Sequence, residues 1–176
     1  GQSKTNVMSL AAAEITAVNV QVGDIVKEGD PLVTLDQKDI EKQIAELKTN
    51  INNANAVAAN DEAQKQNSLT QNKQDQQDAL DAAQKTIDKA QADVDKYKKK
   101  VSECEDYIYY LKNNHKDTSE YDGKLDVFKS SLETAQNALD SANDNYASVL
   151  KNTDRSVASA QNTVDMQKYQ ASTTTE

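Results

Sequence analysis

After Pro31 the chain holds no further proline, and only one glycine, Gly123, before it ends at residue 176. Proline and glycine are the residues that most disfavour a helix interior, so nearly everything past residue 36 is free to run as helix. Ahead of that boundary, ITAVNVQVGDIVKEGDPLVTL (15–35) is a set of short β-branched runs broken by two Gly-Asp pairs. The pattern predicts a mainly α chain in which a small N-terminal β-segment feeds a long helical arm.

Composition agrees with an extended element. Hydrophobic residues make up 36% of the chain and aromatics 5%, with no tryptophan, which is little for a compact core of this length. The net charge of −9 argues against nucleic acid, because nothing here could displace phosphate counterions. No run approaches the ~18 apolar residues of a membrane span. No charged-then-apolar leader stands at the start, so export or anchoring signals would lie outside this stretch. A single cysteine, Cys104, excludes an internal disulfide and speaks against a zinc site.

In the β-segment, Val18, Val20 and Val22 alternate as one strand face would. Gly23-Asp24 turns the chain, Ile25 and Val26 follow, and Gly29-Asp30-Pro31 turns it again before Leu32, Val33 and Leu35. Glycine supplies positive φ and Asp bonds its own backbone, so both places read as tight turns. About three short strands are expected, too few to be stable alone.

Residues 22–36, VGDIVKEGDPLVTLD, resemble the first half of a biotinyl/lipoyl domain. A carrier domain of that kind would follow with a hairpin bearing its modified lysine. Here Asp36-Gln37-Lys38-Asp39-Ile40-Glu41 goes straight into helix. Lys38 lies one position early for the carrier motif and lacks the flanking methionine or alanine, so it reads as a solvated first-turn lysine. A half lipoyl motif opened by a long helical hairpin resembles the membrane fusion proteins, or periplasmic adaptors, of the hemolysin-secretion and macrolide-efflux type. The resemblance is specific over about residues 13–50 and architectural to about 170. One departure is Ala13, where the family usually has glycine.

The arm itself carries a heptad seam. Ile40, Ile44, Leu47, Ile51, Ala54 and Ala58 alternate steps of four and three. The seam fades over Asn60–Asp78, where Leu69 is almost the only large apolar residue. It resumes with Leu80, Ala83, Ile87, Ala90, Val94, Tyr97, Val101, Cys104, Ile108 and Leu111. This second block is offset by one residue from the first, so the supercoil must adjust in the polar stretch, as loose helix or as a joint. A return seam runs Tyr121, Leu125, Phe128, Leu132, Ala135, Leu139, Ala142, Tyr146, Val149, Thr153, Val157, Ala160, Val164. Its register does not continue that of the outbound arm, and KNNHKDTSEYDG (112–123) gathers loop-forming residues. Ser119 with Asp122 resembles a capping box. The expectation is an antiparallel coiled-coil hairpin: β-segment 1–35, outbound helix 36–111 with a weak polar stretch at 60–78, tip 112–123, return helix 124–170 and a frayed tail 171–176.

At 1.5 Å per residue the outbound arm would span ~110 Å, and the return arm falls short of it by about twenty residues. The return arm would then end beside the polar stretch near Asn60, leaving Ile40–Ala58 and the β-segment unpartnered. On this ground the chain is expected to be part of a longer protein.

No catalytic constellation is visible, and the chain reads as a non-enzyme that needs no cofactor or metal. His115 stands alone in the tip and reads as a turn residue. Cys104 lies on the seam and reads as a small buried hydrophobe. Glu103, Glu105 and Asp106 read as solvated outer-face carboxylates. The unusual cluster is Tyr107, Tyr109 and Tyr110, off the seam near the tip; it suits either a contact patch or simple cover for the hairpin end. Adaptor tips that dock on outer-membrane channels carry an Arg, Leu, Ser pattern. By resemblance, Leu111 matches the leucine and Thr118 or Ser119 the serine, while Tyr107 stands in the arginine's place and the chain's one arginine is Arg155. The expected partner-binding set is Tyr107, Tyr110, Leu111, Thr118 and Ser119, with the missing arginine weighing against an outer-membrane channel.

The resemblance implies an adaptor subunit of an efflux or secretion transporter. Such a subunit couples an inner-membrane pump of ABC type to the exit path, through a homo-oligomeric, hexamer-like tube of hairpins. It implies an extracytoplasmic place, anchored to the cytoplasmic membrane by a segment absent from this chain. Two other readings stay open: a biotinyl or lipoyl carrier domain with a helical insertion, and a cell-surface coiled-coil spacer with no structure before residue 36.

Overall fold

The computed structural model describes residue 6 and residues 14–174 of the chain. Ala13 and the last two residues lie outside the described residues. The element order is strand β1 (Ile15–Val18), strand β2 (Val33–Leu35), helix α1 (Gln37–Asn113) and helix α2 (Ser119–Thr174). The chain is mainly helical: two long helices packed against each other, with a small antiparallel two-strand segment. Among the described residues no helix is long and apolar enough to cross a membrane. Two units divide the chain, residues 1–60 and 61–176.

In the first unit β1 pairs antiparallel with β2, Ala17 opposite Thr34 and Val18 opposite Val33, with a bulge between Ile15 and Ala17. Thr16 Oγ1 donates to the Thr34 carbonyl at 3.1 Å, and Asn19 Nδ2 to Thr34 Oγ1 at 3.0 Å. The expected middle strand is not formed, and the two turns are the reason. In each, the Asp N–H donates to a carbonyl three residues back, Asp24 to Gln21 and Asp30 to Lys27. Its carboxylate in return accepts from that residue's N–H, both at 2.8 Å. Gly23 and Gly29 take φ of +99° and +92°, as the third residue of a type II turn requires. Two such turns six residues apart take up the backbone groups of Gln21 and Lys27 and leave Ile25 and Val26 outside any ladder.

Asp36 ends β2 and begins α1. Its N–H donates to the Glu14 carbonyl at 2.7 Å, and its Oδ1 accepts from the Lys38 N–H at 2.9 Å. A carboxylate on the first free N–H groups of a helix is a favoured N-cap, so strand converts to helix with no loop. No residue described between 14 and 60 is buried. Ile44, Leu47 and Ile51 are 47%, 60% and 59% exposed, so this heptad stripe is formed but largely uncovered.

The second unit is the hairpin. Its core is one file of buried residues from each helix: Leu69, Ala83, Ala90, Val94, Cys104, Ile108 and Leu111 from α1, Ala135, Ala142 and Val164 from α2. From Ala83 to Leu111 the facing positions keep the expected heptad. Below it the part-buried or buried positions Asp61, Lys65, Leu69, Asn72, Gln76, Leu80 and Ala83 step by four, four and three. An eleven-residue spacing of this kind removes the left-handed drift of heptads, and it absorbs the one-residue offset seen in the sequence.

The polar stretch is continuous helix, not a frayed length. Gln71, Gln74 and Gln77 each donate to an aspartate four residues on, Asp75, Asp78 and Asp81, at 2.8, 2.9 and 2.9 Å. Such pairs stabilise a helix by about 0.2–0.5 kcal/mol each, and they lie where the apolar seam is thinnest. Gln84–Asp88, Gln91–Asp95 and Gln161–Asp165 repeat the device.

The tip is shorter than the expected 112–123. Helix α1 runs through Asn113 and ends in a Schellman motif: His115 N–H donates to the Lys112 carbonyl at 3.1 Å and Lys116 N–H to the Leu111 carbonyl at 2.9 Å. His115 takes the left-handed position, φ 53°. The capping box expected of Ser119 and Asp122 is replaced. Asp117 Oδ1 accepts from the Ser119 N–H at 3.1 Å and Oγ at 2.7 Å, while Thr118 Oγ1 donates to Asp122 at 2.8 Å. Helix α2 therefore starts at Ser119, takes Gly123 into its second turn, and runs on through residues 171–174, where fraying was expected.

Candidate functional site

The tyrosines near the tip occupy the last two turns of α1. Tyr107 and Tyr110 stack with ring centres 5.8 Å apart, and Tyr107 meets Tyr121 of α2 edge-on at 4.6 Å. Off-seam positions on α1 and a seam position on α2 thus form one aromatic cluster. The tyrosines keep 41% (Tyr107), 49% (Tyr110) and 69% (Tyr109) of their surface. Tyr109 stands apart on the far side of the helix, as the spacing predicts.

The other expected contact residues fare differently. Leu111 is 5% exposed and its carbonyl holds the Schellman bond, so it is a packing residue and offers a partner no side-chain surface. Thr118 and Ser119 are engaged in the cap of α2, with Ser119 exposed and Thr118 half-buried. Hydrogen bonds from the Ser119 hydroxyl, then from the Ser119 and Thr118 backbone, hold the Asp117 carboxyl below the usual carboxylate range. The set Tyr107, Tyr110, Leu111, Thr118, Ser119 therefore splits into two exposed aromatics, one core residue and two capping residues.

Beside the cluster, on one flank of the hairpin, lies an open cleft of about 350 Å³ lined by Lys100, Glu103, Cys104, Tyr107, Tyr121, Lys124 and Phe128. Cys104 forms its floor, 6% exposed, its thiol donating to the Tyr121 carbonyl at 3.4 Å. Lys100 Nζ stands 5.3 Å from the Phe128 ring centre and 5.9 Å from that of Tyr97. Lys124 Nζ stands 4.8 Å from the Tyr121 ring centre. Sequence reading did not find this cleft, because its walls come from both helices and only the register sets them together. The signal available was the lysine run Lys98-Lys99-Lys100 on an acidic chain.

Lys38 lies in the first turn of α1, exposed, and not on a hairpin as a carrier lysine would. Among the described residues no group of three His, Cys, Asp or Glu side chains is placed to hold a metal ion. His115 is exposed, its role set by its backbone.

No family model matches the chain, and no curated protein or solved structure matches it either.

Proposed function

We propose that this chain is the hairpin-bearing part of an adaptor subunit in an efflux or secretion transporter. It would work extracytoplasmically, coupling a membrane pump of ABC type to the exit path as a homo-oligomer. The observation that carries the reading is the junction at Asp36. Two matched Gly-Asp turns lead into β2, and the residue that closes the sheet also caps α1. A half lipoyl motif opened directly into a helical arm suits an adaptor, and it leaves no hairpin for a modified lysine. The two strands before residue 36 weigh against a spacer with no structure there. Nothing in this role asks the chain to make or break a covalent bond.

The experiment is photocrosslinking from position 109, the most exposed of the tip tyrosines, in cells that make the protein natively. Adducts with a second copy of the chain and with a membrane transport protein are expected. Adducts confined to soluble cytoplasmic proteins would end the adaptor reading. Intact mass after co-expression with biotin and lipoyl ligases is expected to be unchanged; a gain localised to Lys38 would establish a carrier domain instead.

A further inference from the structure

We infer that the cleft over Cys104 is an anchor pocket for a partner segment in which an aromatic side chain lies next to a carboxylate. The inference stands on the cleft and does not depend on the adaptor reading. Three features of the cleft point to this occupant. The floor and walls are a buried thiol and the rings of Tyr107, Tyr121 and Phe128, surfaces that take an aromatic ring edge-on or offset. Two ammonium groups, Lys100 on α1 and Lys124 on α2, outnumber the one carboxylate in the lining, Glu103, on a chain whose net charge is −9.

The third feature is the state of Lys100. Its ammonium is held over two rings and, among the described residues, has no carboxylate within 4.0 Å. Glu103, which also lines the cleft, has its exposed carboxylate 3.9 Å from the Lys99 ammonium and not within 4.0 Å of that of Lys100. Lys124, by contrast, already has Glu120 at 3.4 Å. Lys100 is thus the cation with a place to fill. A volume of about 350 Å³ is at the small end for ligand clefts, suited to one inserted side chain with its neighbour at the rim. Aromatic anchors set in such pockets dominate many protein interfaces.

The test titrates the whole chain with the capped dipeptide acetyl-Asp-Phe-amide, following backbone amide resonances. Saturable shifts at residues 100–107 and 121–128 are expected. Acetyl-Asn-Phe-amide and acetyl-Asp-Ala-amide should each bind about tenfold more weakly, as losing a charge-assisted bond or a buried ring implies. Lys100→Gln should weaken the Asp-Phe probe by about the same factor, and Lys100→Arg should keep it. Helical circular dichroism confirms that both variants fold. Shifts scattered along the hairpin, equal binding of the Asn and Asp probes, or no effect of Lys100→Gln would each overturn the proposal.

Discussion

The amide of Gln76 on α1 donates to the hydroxyl of Thr153 on α2 at 3.0 Å, and each residue is the middle of a four-four step in its helix. On α1 the step is Asn72–Gln76–Leu80, and on α2 it is Val149–Thr153–Val157. The two helices leave the heptad together, at one level, and a polar pair marks the place. Gln76 also donates to Asp154 at 2.6 Å, and the Thr153 hydroxyl donates to the Val149 carbonyl at 2.7 Å. A polar layer in an apolar seam fixes register at some cost in stability.

Removing that layer tests its role. Gln76→Ala should lower unfolding free energy by about 1 kcal/mol, the usual size for a hydrogen bond that is partly exposed. A double-mutant cycle with Thr153→Ala should give a coupling of about 0.5–1 kcal/mol by urea denaturation. Zero coupling would mean that the pair does not contribute to register.

Residues at equivalent seam positions should differ sharply in cost. Leu69 is 3% exposed and Leu47 is 60% exposed. Leu69→Ala should cost about 2–5 kcal/mol as a buried cavity, whereas Leu47→Ala should change stability by less than about 0.5 kcal/mol. Thermal unfolding of both variants checks it; equal losses would show that the Ile40–Ala58 stripe is covered in solution.

At the tip the glycine and the left-handed residue stand in the wrong places for maximum stability. His115 has φ 53°, while Gly123 is helical and exposed with open space around its would-be Cβ. His115→Gly should stabilise the hairpin by about 1 kcal/mol, by relieving a conformation that costs side-chain-bearing residues that much. Gly123→Ala should add about 0.5–1 kcal/mol. Destabilisation by either, read by urea midpoint, would contradict the described turn.

Asp117 supplies the pH dependence. Its lowered pKa is set first by the Ser119 hydroxyl and then by the Ser119 N–H. A carboxylate whose folded pKa is depressed contributes its full stabilisation above the unfolded pKa and loses it as pH falls through the folded one. By side-chain resonance titration, Asp117 should ionise below the ordinary aspartate range. Ser119→Ala should raise its midpoint only part of the way back, because the backbone bonds remain. An unchanged midpoint in that variant would remove the hydroxyl as the main cause.

Much of the fold was legible. The return seam from Tyr121 to Val164 faces α1 as its spacing predicts, and the outbound block from Ala83 to Leu111 does likewise, because apolar periodicity and burial are the same constraint. The polar stretch stays open between loose helix and a joint when the apolar seam alone is read. Its helix is supported by glutamines bonding aspartates four residues on, and that spacing was there to be counted. The expected tip is too long because Asn113 and Gly123 disfavour helix, a preference of only about 0.7–1 kcal/mol per residue that the two helices run through.

By itself the sequence determined the element types: where β gives way to helix, where the chain reverses, and which face of each helix is apolar. These follow from local chemistry, from Gly-Asp turns, an Asp at an N-cap and periodicity. Only the tertiary structure decided which faces are covered and which side chains meet. Leu111 reads both as a seam residue and as a contact residue, and its burial assigns it to the seam. Lys100, Cys104 and Phe128, scattered in sequence, share one cleft. The physical reason is register: whether a residue is buried, and beside what, depends on the partner at its level. A helix carries its own period but not the position of its neighbour.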